Sequence, residues 1–494
     1  MDSRTSTSQK TQPAHLPTGP GQGQNPRQQP TPQGGKVLAL GRALVKTIRH
    51  FWPGLNQSLD ALPDSRFEPM VTYHPRFLCW WGLLLFCLKL GSRRQLDFQL
   101  RDDDVSCVLD NVNRLAGTEQ DSLPVNKTLR HFLGHVGSAP LARLRTDCVR
   151  QLIRNKVLDS TRLQGCLMVV VDGTGFLSFK EQHCPHCLVH KHESYTAYLH
   201  PVLEAKLVDT RGLALSLCSE FIENPGQEAG IPNLSTLTTY EAVKQDCELK
   251  AFARLAPNLK KEFPQTRFCL GGDSLYACAP VMEICARHDW SFVLTFKEGR
   301  TPALWKEFQS LLELSPKNRL AAELRDKTRQ TFRWINDLQH TGEDGRIYTV
   351  HALICEEDGP AGKRTFAWLT DFRLDRKNVR AIASQGGRVR CNIENQGFNI
   401  QKNSGLNLEH AYSTDPDIMK SFYYLLQIAH LFLQMFEMGS LLRRLAQDYE
   451  TTPVGLFGSL KNIAQRLLEC FRYFQLGAEA FDDQRCQIRL CDPG

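Results

Sequence analysis

Between Leu167 and Lys297 the apolar pattern changes period several times, and the order of those changes constrains the fold more than any other feature of the chain. Leu167 to Val171 (LMVVV) is an apolar run of strand length, and Asp172 closes it. Leu199 to Val208 and Leu213 to Ile222 read as two more strands, joined through Asp209-Thr210-Arg211-Gly212, a sequence suited to a hairpin turn. A helical stretch from Leu237 to Leu255 follows, then a strand from Arg267 to Leu270 that runs into Gly271-Gly272-Asp273. A helix from Ala277 to Arg287 and a strand from Ser291 to Phe296 complete the series. The expected order is β-β-β-α-β-α-β, a mixed α/β (α+β) fold with one mixed sheet.

That order is used by ribonuclease-H-like folds, in which the first and fourth strands lie side by side. The two aspartates at their ends would then meet. Around this core, residues 1–36 are rich in Gln, Pro, Ser, Thr and Gly and are expected to form a disordered tail. Residues 37–160 carry apolar positions at helical spacing, such as Leu129, Phe132, Leu133, Leu141 and Leu144, together with Lys127, Arg130, Arg143, Arg145, Arg150 and Arg154. They are expected to be a helical N-terminal domain whose basic residues either hold DNA phosphates or form a solvated face. The core's first part then spans 161–297, a β-rich insertion 298–370, the core's second part 371–412, and a helical C-terminal region 413–494.

Composition sets the class. With 494 residues, 41% hydrophobic and 23% charged, the chain has the balance of a globular protein of several structural units. The most apolar run, Phe77 to Leu88, has twelve residues where a bilayer core needs about 20, so it reads as a buried helix and no membrane is expected. A net charge of +7 favours an anionic partner. Seventeen cysteines, an odd number partly inside apolar runs, argue against a disulfide framework, and the first residues lack a secretory pattern. The expected compartment is the cytoplasm.

Phosphodiester chemistry needs charge neutralised at the attacking and leaving oxygens, which two divalent ions about 3.5 to 4 Å apart supply, and hard ions such as Mg²⁺ or Mn²⁺ take carboxylate oxygens. Asp172 (VVVDGTG), Asp273 (LGGDSLY) and Glu394 (CNIENQGFNIQK) each stand where a rigid element ends or a helix presents a face. A lone strand-end Asp is commonly a turn cap; two strand-end aspartates followed by a helical glutamate are much less expected by accident. On these residues the chain resembles insertion-sequence DDE transposases of the cut-and-paste type, which carry a β-strand insertion between the second Asp and the Glu. The resemblance covers roughly residues 165 to 412, with IENQGFNIQKNSGLNLEHAY at 393 to 412 the most specific segment.

The resemblance implies that Asp172, Asp273 and Glu394 are catalytic and hold Mg²⁺, and that Arg390, Lys402 and Tyr276 contact DNA. It further implies cleavage at transposon ends, transfer of the freed 3′-hydroxyl to target double-stranded DNA, and a homodimer in the synaptic complex. The glutamate helix departs from the family pattern twice. Gly387 stands where a tyrosine is usual, and Gln401 where a lysine is usual, with Lys402 one residue late.

A second constellation is His183-Cys184-Pro185-His186-Cys187-Leu188-Val189-His190-Lys191-His192, which offers ligands suited to tetrahedral zinc. Cys184, Cys187, His190 and His192 are the expected set, with His183, His186 and His200 as substitutes; a solvated loop with two reduced thiols is the plainer reading. Trp334 and Trp368 pack in strands or stack on a base. Two other functions share the same scaffold: a non-catalytic DNA-binding protein derived from a transposase, and a stand-alone nuclease.

Overall fold

The computed structural model describes residues 32–101, 107–224, 246–342, 345–360, 362–482 and 487–491. Its centre is a ten-stranded mixed sheet. The strands are β1 (Leu167–Phe179), β2 (Leu188–Lys191), β3 (Thr196–Val208), β4 (Ala214–Phe221), β5 (Phe268–Gly272), β6 (Ser291–Thr295), β7 (Arg319–Glu323), β8 (Arg329–Thr341), β9 (Ile347–Gly359) and β10 (Gly362–Thr370). They lie in the order β2-β3-β1-β5-β6-β10-β9-β8-β7, with β4 also paired to β3.

The five strands expected from the sequence therefore sit as β4-β3-β1-β5-β6. The first pairings are antiparallel, whereas β1, β5 and β6 run parallel. β1 is longer than the apolar run that marks it, continuing through Asp172 to Phe179. Its buried LMVVV segment is apolar without alternation because both faces are covered. Leu167, Val169 and Val171 join a large core with the N- and C-terminal helices, while Met168 and Val170 join a second core with Cys269, Val293, Trp368, Ile382 and Ile393.

The strands of the β-rich segment do not fold back as a sheet of their own. β10 pairs antiparallel with β6 through Trp368↔Thr295 and Thr370↔Val293, so β7 to β10 extend the central sheet. A helix, Pro302–Leu314, precedes them. Trp334 and Trp368 are both buried, at 4% and 3% exposure, and pack within the second core; neither offers a free ring face to a base.

The N-terminal region is helical, with Pro75–Cys87 buried from Phe77 onward as its apolar run requires. Its helices pack on the long helix Pro416–Glu437, whose Gln427, His430 and Gln434 are buried and hydrogen-bonded to one another or to β4 and Gln401. That satisfies the polar groups that interrupt its apolar sequence. Residues 1–31 of the expected tail lie outside the described residues, and a helix starts at Pro32. Residues 237–245 of the helix expected from Leu237 also lie outside them; the described helix is Glu248–Glu262. No described helix is long and apolar enough to cross a membrane. The sixteen described cysteines are all free.

Candidate functional site

Register alone brings the two aspartates together. β1 and β5 pair in parallel from Leu167↔Phe268 to Val170↔Gly271, and the same offset carried two residues further sets Asp172 opposite Asp273. Both continue the alternation of Val170 and Cys269, so they lie on the face covered by residues 379–403. Asp273 caps the short turn Ser274–Tyr276, accepting from the Leu275 N–H at 2.8 Å. Gly271 allows the close approach of the strands, since a Cβ there would meet the Met168 and Val170 side chains.

Residues 379–403 form one continuous helical segment of mixed pitch, with π turns at Ile382–Gly387 and Ile393–Phe398. Arg390 lies between the two. Its guanidinium donates to Glu394 Oε1 at 2.7 and 2.8 Å and reaches Asp172 Oδ2 at 3.8 Å. One cation thus links the first and third expected carboxylates.

The packing of this segment accounts for the residues at 387, 401 and 402. Gly386 and Gly387 pack directly on β6 and β10: a Cβ on Gly387 would run into the Trp368 indole, so a tyrosine has no room there. A π turn takes one more residue than an α turn. The eight residues from Glu394 to Lys402 therefore rotate about as far as seven in a regular helix, returning Lys402 toward the face that carries Glu394. Gln401 points inward instead, fully buried, donating to Gln427 at 2.8 Å with its amide 2.9 Å from His430 Nδ1. Lys402 is paired with Glu409 at 2.8 Å.

A fourth carboxylate belongs to this site, and it was not expected. Glu248, the first residue of its helix, lies against Gly173, where a Cβ would collide with the carboxylate. It accepts from Tyr276 Oη at 3.3 Å. Tyr276 is fully buried and edge-on to Phe252, which corrects the expectation of a DNA contact: the ring has no exposed surface, and its hydroxyl holds Glu248.

The electrostatics follow from crowding. Burial pushes the Asp172 carboxyl up to about 7, with Glu394, Glu248 and Asp273 adding to the rise and Arg390 opposing it. Burial also raises Glu248, with Asp273 contributing, against the Tyr276 hydrogen bond. Glu204, the register partner of Asp172, stays out of the group; it is buried and paired with Lys206 at 3.0 Å, Ser219 and Tyr423. Beside the carboxylates opens a cleft of about 640 Å³ lined by Lys297, Arg364, Arg388, Arg390, Trp305 and Phe366. The Arg388 guanidinium stacks 3.9 Å from the Phe366 ring centroid.

The Cys/His run resolves differently from the expected set. Cys184 and Cys187 do converge, but their partners are His183 and His200, with all four ligand atoms within 4.8 Å of one another. His190 and His192 correct the expectation: they pair with each other at 3.2 Å on the exposed arm around β2, and His192 stacks on Tyr195. His190 lies in β2 and His192 just past its end, and neither is in the group that surrounds the thiols. Burial opposes a charged His200, yet the Cys187 sulfur and the Glu223 carboxylate, which accept from a protonated ring, outweigh it and raise the imidazole to about 9. Among the described residues this is the one group of His, Cys, Asp or Glu that meets so closely, and it could hold a metal such as zinc.

No protein-family model matches the chain, and no curated protein matches it.

Proposed function

We propose that this chain is a metal-dependent DNA strand-transfer enzyme of the transposase kind, built on a ribonuclease-H-like core. The observation that carries the reading is the parallel register of β1 and β5, whose offset sets Asp172 level with Asp273, together with Arg390, which bonds Glu394 at 2.7 Å and lies 3.8 Å from Asp172. The strand order β4-β3-β1-β5-β6 supports the core assignment, and the basic, aromatic cleft beside the carboxylates supports a nucleic-acid substrate.

The donor set suits Mg²⁺ or Mn²⁺. It is all oxygen, and at Asp172 and Glu248 burial together with neighbouring carboxylates raises the proton affinity, so a cation beside them would be favoured. Asp172, Asp273 and Glu394 would hold the ions, with Glu248 as a fourth oxygen donor. Bound divalent ions would neutralise charge at the attacking and leaving oxygens of the phosphodiester.

The chain's own residues do the rest. Arg390 offers its guanidinium to a non-bridging phosphate oxygen when it leaves Asp172, while its bond to Glu394 keeps the head group in place. Tyr276 fixes the Glu248 rotamer, and the glycines of the first π turn hold the helix against the sheet so that Glu394 stays near the strand ends. Arg388 and Lys297 line the path of the DNA backbone out of the site. Double-stranded DNA is the partner, transposon end and target alike, with two copies of the chain joining two ends.

The test is strand cleavage on duplexes carrying the element's ends. Mg²⁺-dependent nicking is expected from the wild-type chain and its loss from Asp172→Ala, Asp273→Ala and Glu394→Ala, with end binding kept. Binding by the wild-type chain without nicking would instead identify a non-catalytic DNA-binding protein, and nicking without strand transfer a nuclease.

A further inference from the structure

The cluster at the far end of β1 lies outside the strand chemistry. Asp172 is the register partner of Glu204, and His200 is four residues along β3, roughly 13 Å away at strand rise. Thiol and imidazole donors also select a softer ion than the carboxylates do.

The distances within the cluster are those of an ordinary tetrahedral site. Zn–S of about 2.3 Å and Zn–N of about 2.05 Å imply, at the tetrahedral angle, about 3.8 Å between two sulfurs and about 3.6 Å between sulfur and nitrogen. Cys184 Sγ and Cys187 Sγ are 3.6 Å apart. The sulfur to nitrogen distances are 3.5 Å from Cys184 to His200 Nε2, 3.3 Å from Cys187 to His200 Nε2, and 3.5 Å from Cys187 to His183 Nδ1. Four separate edges thus fall within about 0.3 Å of one tetrahedron, assembled by a loop (His183, Cys184, Cys187) and a strand (His200) that sequence spacing does not join.

The outer shell fits as well. The second ring nitrogen of His200, Nδ1, is buried and faces Glu223 Oε1 at 3.6 Å, the carboxylate–histidine arrangement that fixes the tautomer of a metal-ligating imidazole. Glu223 is held in turn by Lys420 at 2.7 Å. Asn224 donates to the Cys187 carbonyl at 3.0 Å, and its backbone N–H donates to the His186 carbonyl at 3.1 Å. The Glu223 N–H reaches Asp246 Oδ2 at 3.3 Å, two residues before Glu248.

We propose that His183, Cys184, Cys187 and His200 bind one zinc ion in a closed structural site that clamps the β1–β3 connection to the end of β4. Four protein ligands leave no position for water or substrate, so the ion shapes the protein and takes no part in catalysis. On binding, the two thiols release their protons to solvent. Through Asn224, Glu223 and Asp246 the clamp also steadies the entry to the helix that begins with Glu248.

The test starts with elemental analysis of full-length protein purified without added zinc. About one zinc per chain is expected in the wild type, with loss of most of it in Cys187→Ser and His200→Gln and full retention in His190→Ala and His192→Ala. Cobalt(II) replacing the ion in the wild type should show the visible bands of a tetrahedral site and a thiolate charge-transfer band, a readout that does not depend on any variant folding. Folded wild-type protein with no zinc and no cobalt spectrum overturns the site; retention in the first variants with loss in the second overturns the ligand set. Hydrogen exchange then tests the clamp: removal of zinc should speed exchange at Leu188–Lys191 and at 222–224, and unchanged exchange there overturns it.

Discussion

Replacing Asp172 by Asn should stabilise the metal-free protein, and by more as the pH rises. The Asp172 carboxyl moves from its ordinary value of 3.8 to about 7 in the folded chain. A raised folded value means that the stability tied to this group is complete below 3.8 and is lost as pH rises through about 7. At about 1.4 kcal/mol per unit, the charged carboxylate costs the wild type about 1.5 kcal/mol at pH 5 and about 4 kcal/mol at pH 8. The side chain is 18% exposed, so solvent screening trims these figures without removing them. Asn keeps the shape and never carries the charge, so the variant's advantage should grow by about 2 kcal/mol between those pH values. Urea unfolding of both proteins at pH 5 and pH 8, without added divalent ions and without chelator, measures it. Added Mg²⁺ should stabilise the wild type and leave the variant unchanged, because binding to the folded state alone raises stability. An advantage that is flat with pH, or a variant weaker than wild type at pH 8, would refute the picture of a crowded, cation-seeking carboxylate.

Three further outcomes follow from the same geometry. Glu248→Gln should raise the Mn²⁺ concentration needed for cleavage roughly tenfold while leaving the melting temperature at low pH unchanged, and an unaltered Mn²⁺ titration would remove Glu248 from the site. Arg390→Gln takes away the guanidinium that lowers the Asp172 carboxyl, so a carbon-13 titration should place that carboxyl higher than in wild type; no upward movement would show that the guanidinium does not act there. Gly387→Ala should cost about 1 to 3 kcal/mol in chemical unfolding because the new methyl meets the Trp368 indole, and stability equal to wild type would mean that the helix does not sit on β10 as described.

Much of the site could be read from the sequence because it depends on register and period. The LMVVV run and the Arg267 to Leu270 run each fix a buried strand, and the aspartates that end them fall at one level once the strands pair in parallel. Glu394 came from its motif. Glu248 escaped because a single acidic residue at a helix start reads as a cap, and its closeness to Gly173 exists only after β1 and its helix pack together. The position of Lys402 depends on a π turn that nothing in the local residues announces, since it arises where Gly-containing turns press on the sheet. In the Cys/His run, proximity in sequence favoured His190 and His192. The structural partner is His200, brought back by β3 pairing with β1 through Leu177↔His200. That β7 to β10 would extend the central sheet was equally hidden, because the β10–β6 pairing joins residues more than seventy positions apart.

The measurement that tests the central claim most directly is iron(II)-directed cleavage of the polypeptide, since iron bound in place of Mg²⁺ cuts the backbone beside its ligands when peroxide and ascorbate are supplied. Cuts are expected near Asp172, Asp273 and Glu394, together with one near Glu248, and excess Mg²⁺ should suppress all of them. Cuts confined to residues 183–200, or none that Mg²⁺ suppresses, would show that the carboxylates do not hold divalent ions and would contradict the proposed enzyme.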